Sequence, residues 1–225
     1  MCSLHYAEGG NMEKIREAEL NIGDSRMETN RAVLQGKVLS GLEFSHKSYG
    51  EAFYLFEMGI YRKSGYIDEI KVIISERLLW KISIEVGDRI KIEGQVRTYN
   101  EEVEGKSRLN VMVFARNIDE LQEYEEDKND IYLEGFICKP PIQRVSPLGR
   151  NICDVMLAVN RMYNKSDYIP CIVWGRNAAY AGNLEVGTKL KISGRMQSRE
   201  YKKHDSEGRT LVKTAYEVSV LKIDE

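Results

Sequence analysis

The stretch that decides the fold reads DVMLAVNR at 154–161, a short polar loop, and then DYIPCIVWGRNAA at 167–179. In the first run Val155, Leu157 and Val159 fall on one face and Met156, Ala158 and Asn160 on the other, the period of a half-buried strand. In the second run Ile169, Cys171 and Val173 share a face, while Tyr168, Pro170, Ile172 and Trp174 share the opposite one. At about 3.3 Å of rise per residue, Tyr168 and Trp174 stand roughly 20 Å apart along one surface. Arg161 and Arg176 mark its ends. On their own, the two rings read equally well as core or as an exposed stacking platform.

The same succession occurs earlier in the chain. NRAVLQGKV (30–38) lies over NDIYLEGFI (129–137), and FYLFEMGIYR (53–62) lies over 154–161 with Arg62 matched to Arg161. EIKVII (69–74) then lies over 168–173, and VGDRIKIEGQVRTY from Val86 over VGTKLKISGRMQSR from Val186. Segments that repeat in order at an offset of 99 or 100 indicate two copies of one domain. Each copy holds about five strand-like runs, with one short helical segment after the third: SERLLWKI (75–82) and RNAAYAGNL (176–184). That is the element order of the OB-fold. The expected fold is therefore all-β, two tandem OB-folds, each a five-stranded Greek-key barrel with one short helix.

The expected boundaries are a poorly ordered leader at 1–29, a first barrel at 30–118, a linker at 119–130 and a second barrel at 131–225. Trp80, in the helical segment that caps such a barrel, is expected to plug its open end rather than bind a ligand. Gly36, Gly94, Gly135 and Gly194 lie inside strands and mark expected bulges or sharp bends. Pro170 requires an edge or bulge position, because it cannot donate to a sheet ladder.

Composition narrows the class. Of the 225 residues, 42% are hydrophobic and 30% charged, which suits a globular chain of one large or two ordinary domains. No apolar run is long enough to span a membrane, and the N-terminus lacks the order of a secretory signal. The expected location is cytoplasmic. Four cysteines form no Cys-x-x-Cys pair and the three histidines (His5, His46, His204) are scattered, so no metal or other cofactor is expected. Cys138, Cys153 and Cys171 read as buried reduced thiols. The net charge of −2 conceals a split: 30–118 carries +2, 131–225 carries +5, 119–130 carries −6 and the leader −3. The positive field belongs to the second copy. The acidic run reads as a solvated linker, or else as a strap folded over a basic groove in competition with an anion. EGGNM (8–12) could be a ribosome-binding site read through as protein, giving an expected native start at Met12 or Met27.

Longer motifs then carry a resemblance. LEGFICKPPIQRVSPLGR (133–150), LAVNR (157–161), DYIPCIVWGRNA (167–178), GTKLKISGRMQSREY (187–201) and KTAYEV (213–218) occur in that order. Together they resemble the bacterial single-stranded DNA-binding protein family along nearly the whole second copy. The first copy resembles it only as a diverged relative. The resemblance implies a non-catalytic protein that binds single-stranded DNA largely without sequence preference, supporting replication, recombination or repair in the cytoplasm around the nucleoid. It implies a homodimer that brings four OB-folds together. Binding of this kind needs cations along the phosphates and ring faces on which any base stacks. In the second copy Tyr168 and Trp174 would be the rings, with Asn160, Arg161 and Arg176 beside them. Arg144 and Arg150 flank one loop of the expected cleft; Arg199, Tyr201, Lys202, Lys203 and Arg209 lie in the other. Arg195 alternates with Lys189 and Lys191 along the strand between.

The first copy departs from this pattern. Its last loop, YNEEVEGK (99–106), is acidic, and Glu69 and Ser75 stand where the two rings would be. It retains Tyr61, Arg62, Lys63 and Tyr66, which leaves weak participation in binding open. Lopsided binding follows as the expectation. The family's acidic recruiting tail is not seen after LKIDE (221–225), which puts in doubt the recruitment of replication or repair proteins by that route. These departures motivate the alternative of an OB-fold accessory protein of replication restart or of a mobile element, acting mainly through protein contacts. A nuclease would need clustered carboxylates for metal. Here the acidic residues sit in the linker or alternate with lysines.

Overall fold

The computed structural model describes residues 29–103, 105–146, 148–161, 165–204 and 210–224. The leader and the start-site expectation lie outside them. Twelve strands form in order: β1 (Asn30–Val38), β2 (Glu43–Ser48), β3 (Glu51–Tyr61), β4 (Ile67–Ser75), β5 (Arg89–Val103) and β6 (Lys106–Glu120), then β7 (Lys128–Ile137), β8 (Ile142–Val145), β9 (Asn151–Asn160), β10 (Ser166–Trp174), β11 (Lys189–His204) and β12 (Thr210–Asp224). Two short helices, α1 (Glu76–Leu79) and α2 (Gly175–Ala181), follow β4 and β10.

The fold is all-β. In the first copy β1 pairs with β5, β5 with β6, β6 with β4, β4 with β3, and β3 returns to β1. In the second, β7, β11, β12, β10 and β9 close the same ring. Each is a five-stranded barrel. The sixth strand of each copy, β2 or β8, is an addition hairpinned onto β3 or β9. Neither carries an apolar alternation, because neither buries a face: β2 and β8 are exposed almost throughout.

Burial follows the alternation. Leu34, Met58, Ile70, Ile92 and Val113 fill the first barrel; Leu133, Leu157, Ile169, Ile192 and Val218 fill the second. The ladders shift register between Glu93 and Gly94 and between Ser193 and Gly194. A Cβ at Gly94 would lie 2.2 Å from the Phe114 carbonyl oxygen, and one at Gly194 2.3 Å from that of Ser219. Only glycine fits these two bends. Pro170 precedes Cys171–Val173, the residues of β10 that pair with β12, so it sits where β10 has a ladder on one side only, an edge-like position. Cys153 and Cys171 are buried free thiols and Cys138 is partly buried. Burial, followed by the charge of Glu217, pushes the Cys171 thiol upward.

Trp80 does not plug its barrel. Helix α1 is a single turn, capped by the Ser75 hydroxyl accepting from the Arg77 N–H at 3.1 Å. Leu78, Leu79 and Ile82 pack against the core, while Trp80 is 77% exposed. One turn presents only one side to the barrel, and the leucines occupy it.

The barrels meet along two seams. β1 and β7 pair antiparallel with Ala32 opposite Ile131, flanked by Asn30 opposite Leu133 and Leu34 opposite Asn129. Under the repeat Ala32 and Ile131 are the same position, so the pairing is that of a local two-fold axis. Asn30 and Asn129 repeat one clamp. Each amide donates to and accepts from one residue of its own barrel, Val96 at 2.8 and 2.9 Å and Met196 at 2.7 and 2.9 Å. The acidic segment after β6 is pinned to the first barrel. Asp127 accepts from the Tyr61 N–H at 2.7 Å and from Arg89 at 2.8 Å, and Arg89 also donates to the Glu125 carbonyl at 2.7 Å.

Candidate nucleic-acid interface

The second seam builds the site. Asp68 and Asp167, equivalent under the repeat, are both fully buried. Asp167 accepts from Arg161 of its own barrel, and from Arg97 Nη1 at 2.9 Å and the Thr98 N–H at 2.6 Å across the seam. Arg161 also donates to the Thr98 carbonyl at 2.7 Å. Asp68 accepts from Arg62 Nε at 2.7 Å, but its partner across the seam, Arg195 Nε, stays 3.8 Å away. Arg195 Nε is buried without a hydrogen-bond partner. Burial first, and then the charge of Arg62, lower the Arg195 pKa against the opposing pull of Asp68. A half-buried guanidinium this poorly compensated favours an added anion.

Arg195 faces a groove of about 560 Å³ that runs over the second barrel to the seam. Arg150, Trp174 and Arg199 line it from the second barrel, and Arg62 and Tyr66 reach in from the first. The Arg62 guanidinium lies 4.5 Å from the centre of the Tyr66 ring. Trp174 is half-buried, and its indole N–H donates to Ser219 Oγ at 3.0 Å. Of the four arginines in this groove, three face two carboxylates among the described residues: Asp68, shared by Arg62 and, at 3.8 Å, Arg195, and Glu217, 3.4 Å from Arg199. The excess is positive.

Of the residues expected from sequence, the structure gathers Arg150, Trp174, Arg195 and Arg199 here. Arg144 lies elsewhere, bonded to Asp154 through Nε at 2.5 Å and Nη2 at 3.0 Å. Arg161 is committed to the seam. Tyr168 is 49% exposed and Tyr201 38% exposed, but neither lines the groove. Between Tyr168 and Trp174 on the same strand, Ile172 is only 3% exposed, so the two rings do not share one open platform. Asn160 and Arg176 are exposed on β9 and α2 and do not line the groove. Lys202 and Lys203 lie on β11 without described side chains, and Arg209 lies outside the described residues. Missed from the second copy's list were Arg62 and Tyr66. The match of Arg62 to Arg161 was visible, but not that it would serve the other barrel. Among the described residues no three His, Cys, Asp or Glu side chains converge for a metal, and no helix is long and apolar enough to cross a membrane.

A ring of five strands built twice in one chain, with a basic groove over the second ring, is an OB-fold arrangement. The family model described as "Single-strand binding protein family" matches residues 128–224. The chain is 36% identical over 85 residues to single-stranded DNA-binding protein 1 of Clostridium acetobutylicum, covering 34% of this chain and 77% of that protein. It is 34% identical over 93 residues to single-stranded DNA-binding protein 2 of Listeria innocua, covering 38% of this chain and 57% of that protein. The chain spans little more than half the length of the curated Listeria relatives it matches. The wild-type single-stranded DNA binding protein from Thermus aquaticus superposes with a TM-score of 0.67 at 22% identity, over 87% of this chain and 91% of that chain; that likeness concerns the fold of both barrels. The chain belongs to the single-strand binding protein family.

Proposed function

We propose that the chain binds single-stranded DNA without strong sequence preference, through the groove of the second barrel. The observation that carries this reading is the set of four arginines, drawn from both barrels, around the half-buried Trp174 with two carboxylates to offset them. Guanidinium groups meet phosphates wherever the strand passes, and ring faces accept any base, so the chemistry is indifferent to sequence. The names of the Clostridium and Listeria relatives support it. On this reading the protein shields or presents single strands during replication, recombination or repair, and breaks no bond itself.

The test is a titration of the full chain with labelled oligo(dT) and with a matched duplex at several salt concentrations. Preference for the single strand, with affinity falling linearly in log–log form as salt rises, is the expected result. Equal affinity for the duplex, or no binding at low salt, overturns the proposal.

A further inference from the structure

The ring missing from the first barrel at Ser75 stands on the neighbouring strand. β4 and β6 pair in parallel with Val72 opposite Val113, just as β10 and β12 pair with Cys171 opposite Val218. Three residues further on, the first strands carry Ser75 and Trp174; one residue further on, the second strands carry Phe114 and Ser219. In the second barrel this contact is an indole on β10 bonded to a serine on β12. In the first barrel the serine and the ring have exchanged strands.

The exchange creates a larger aromatic surface. β4 lies between β3 and β6, and the small Ser75 between them leaves room for Phe114 to approach Phe53, with ring centres 5.6 Å apart. Phe53 in turn stacks on His46 at 4.9 Å and 9°, and His46 is exposed, so a further ring can extend the stack. At the other end the Arg116 guanidinium sits 5.0 Å from the centre of Phe114. No carboxylate among the described residues pairs with Arg116. The carboxylates beside Ser75 are already engaged: Glu51 with the Ser75 hydroxyl and with Arg77 at 3.3 Å, and Glu76 with the Ala52 N–H at 3.0 Å.

We propose that His46, Phe53, Phe114 and Arg116 form a second single-stranded nucleic-acid site, on the first barrel, with bases on the rings and a phosphate on the arginine. Rings in series ending at an uncompensated guanidinium match a polymer that alternates flat bases with anions. The site rests on the function proposed above, and it replaces lopsided binding with two unlike sites per chain.

The experiment counts sites on the full chain with a dT oligomer of about ten nucleotides, within the length one OB-fold accommodates. Wild type should bind two equivalents per chain. Phe114→Ser and Trp174→Ala should each bind one, with the losses at different sites. Arg116→Glu, at an exposed position, should weaken one site on the order of tenfold with no change in melting temperature, which guards against misfolding of the Phe114 variant. A single equivalent, lost in Trp174→Ala and indifferent to Arg116→Glu, overturns the second site and leaves the proposed function standing. No binding by wild type defeats the proposed function, and the second site with it.

Discussion

The two barrels are alike wherever the chain must close and unlike wherever it meets solvent in the grooves. Both use a glycine bend against a carbonyl, an asparagine clamp on the strand after it, and a buried aspartate held by an arginine six residues earlier. Those groups answer to backbone geometry and to burial, which the two copies share. On the function proposed above, the grooves answer to a ligand. There the rings stand on different strands and the arginines are differently compensated. A repeat of structure is therefore not a repeat of surface chemistry.

The seam aspartates offer the largest test of that comparison. Asp167 receives backbone, hydroxyl and two guanidinium donors, whereas Asp68 receives Arg62 and the distant Arg195. Breaking a buried pair by removing one partner costs about 3–5 kcal/mol. Asp167→Ala should fall in that range by urea unfolding, and Asp68→Ala should cost clearly less; equal losses would break the asymmetry. A smaller effect separates Arg195 from Arg97. Arg195→Ala should weaken oligo(dT) binding on the order of tenfold and reduce the salt slope by about 0.7, as expected when one phosphate contact to a single strand is lost. Arg97→Ala removes donors to Asp167 and Gln95, so it should lower the unfolding midpoint and leave that slope intact. The smallest effect concerns Trp80, whose counterpart under the repeat, Ala179, is also exposed. Trp80→Ala should change stability by less than about 0.5 kcal/mol in the same unfolding assay; a loss of several kcal/mol would restore the plug.

Most of the barrel was legible because its signals are local. Alternation gave the strands of each ring, and the offset of 99 or 100 tied Gly94 to Gly194 and Arg62 to Arg161. β2 and β8 were not legible, since a strand exposed on both faces carries no apolar period. In the candidate groove Arg150, Trp174, Arg195 and Arg199 were legible from the resemblance. Arg62 and Tyr66 were legible as residues the first copy retains, but not as lining the second barrel's groove, because no pattern within one copy reveals what crosses the seam. Phe114 was hidden for a different reason. Its kinship with Ser219 depends on the parallel register of β4 with β6, which is set by the closed barrel and not by neighbours in sequence. The exposure of Tyr168 was legible from strict alternation, but that Ile172 is covered between it and Trp174 was not, because alternation says which way a side chain points and not what covers it.

The pairing of β1 with β7 has a consequence for how this molecule can change. An edge strand left open is a template for any other strand, and two separate barrels would find each other only at sufficient concentration. Here the two edges belong to one chain, joined through a connection docked on the first barrel, so their encounter is unimolecular and indifferent to dilution. Nor is the axis through Ala32 and Ile131 a true symmetry axis. In a pair of identical subunits every substitution at such an interface arrives twice; in this chain it arrives once. Each side of the join can drift alone, and a ring can cross from one strand to the next in one barrel while the other keeps its place.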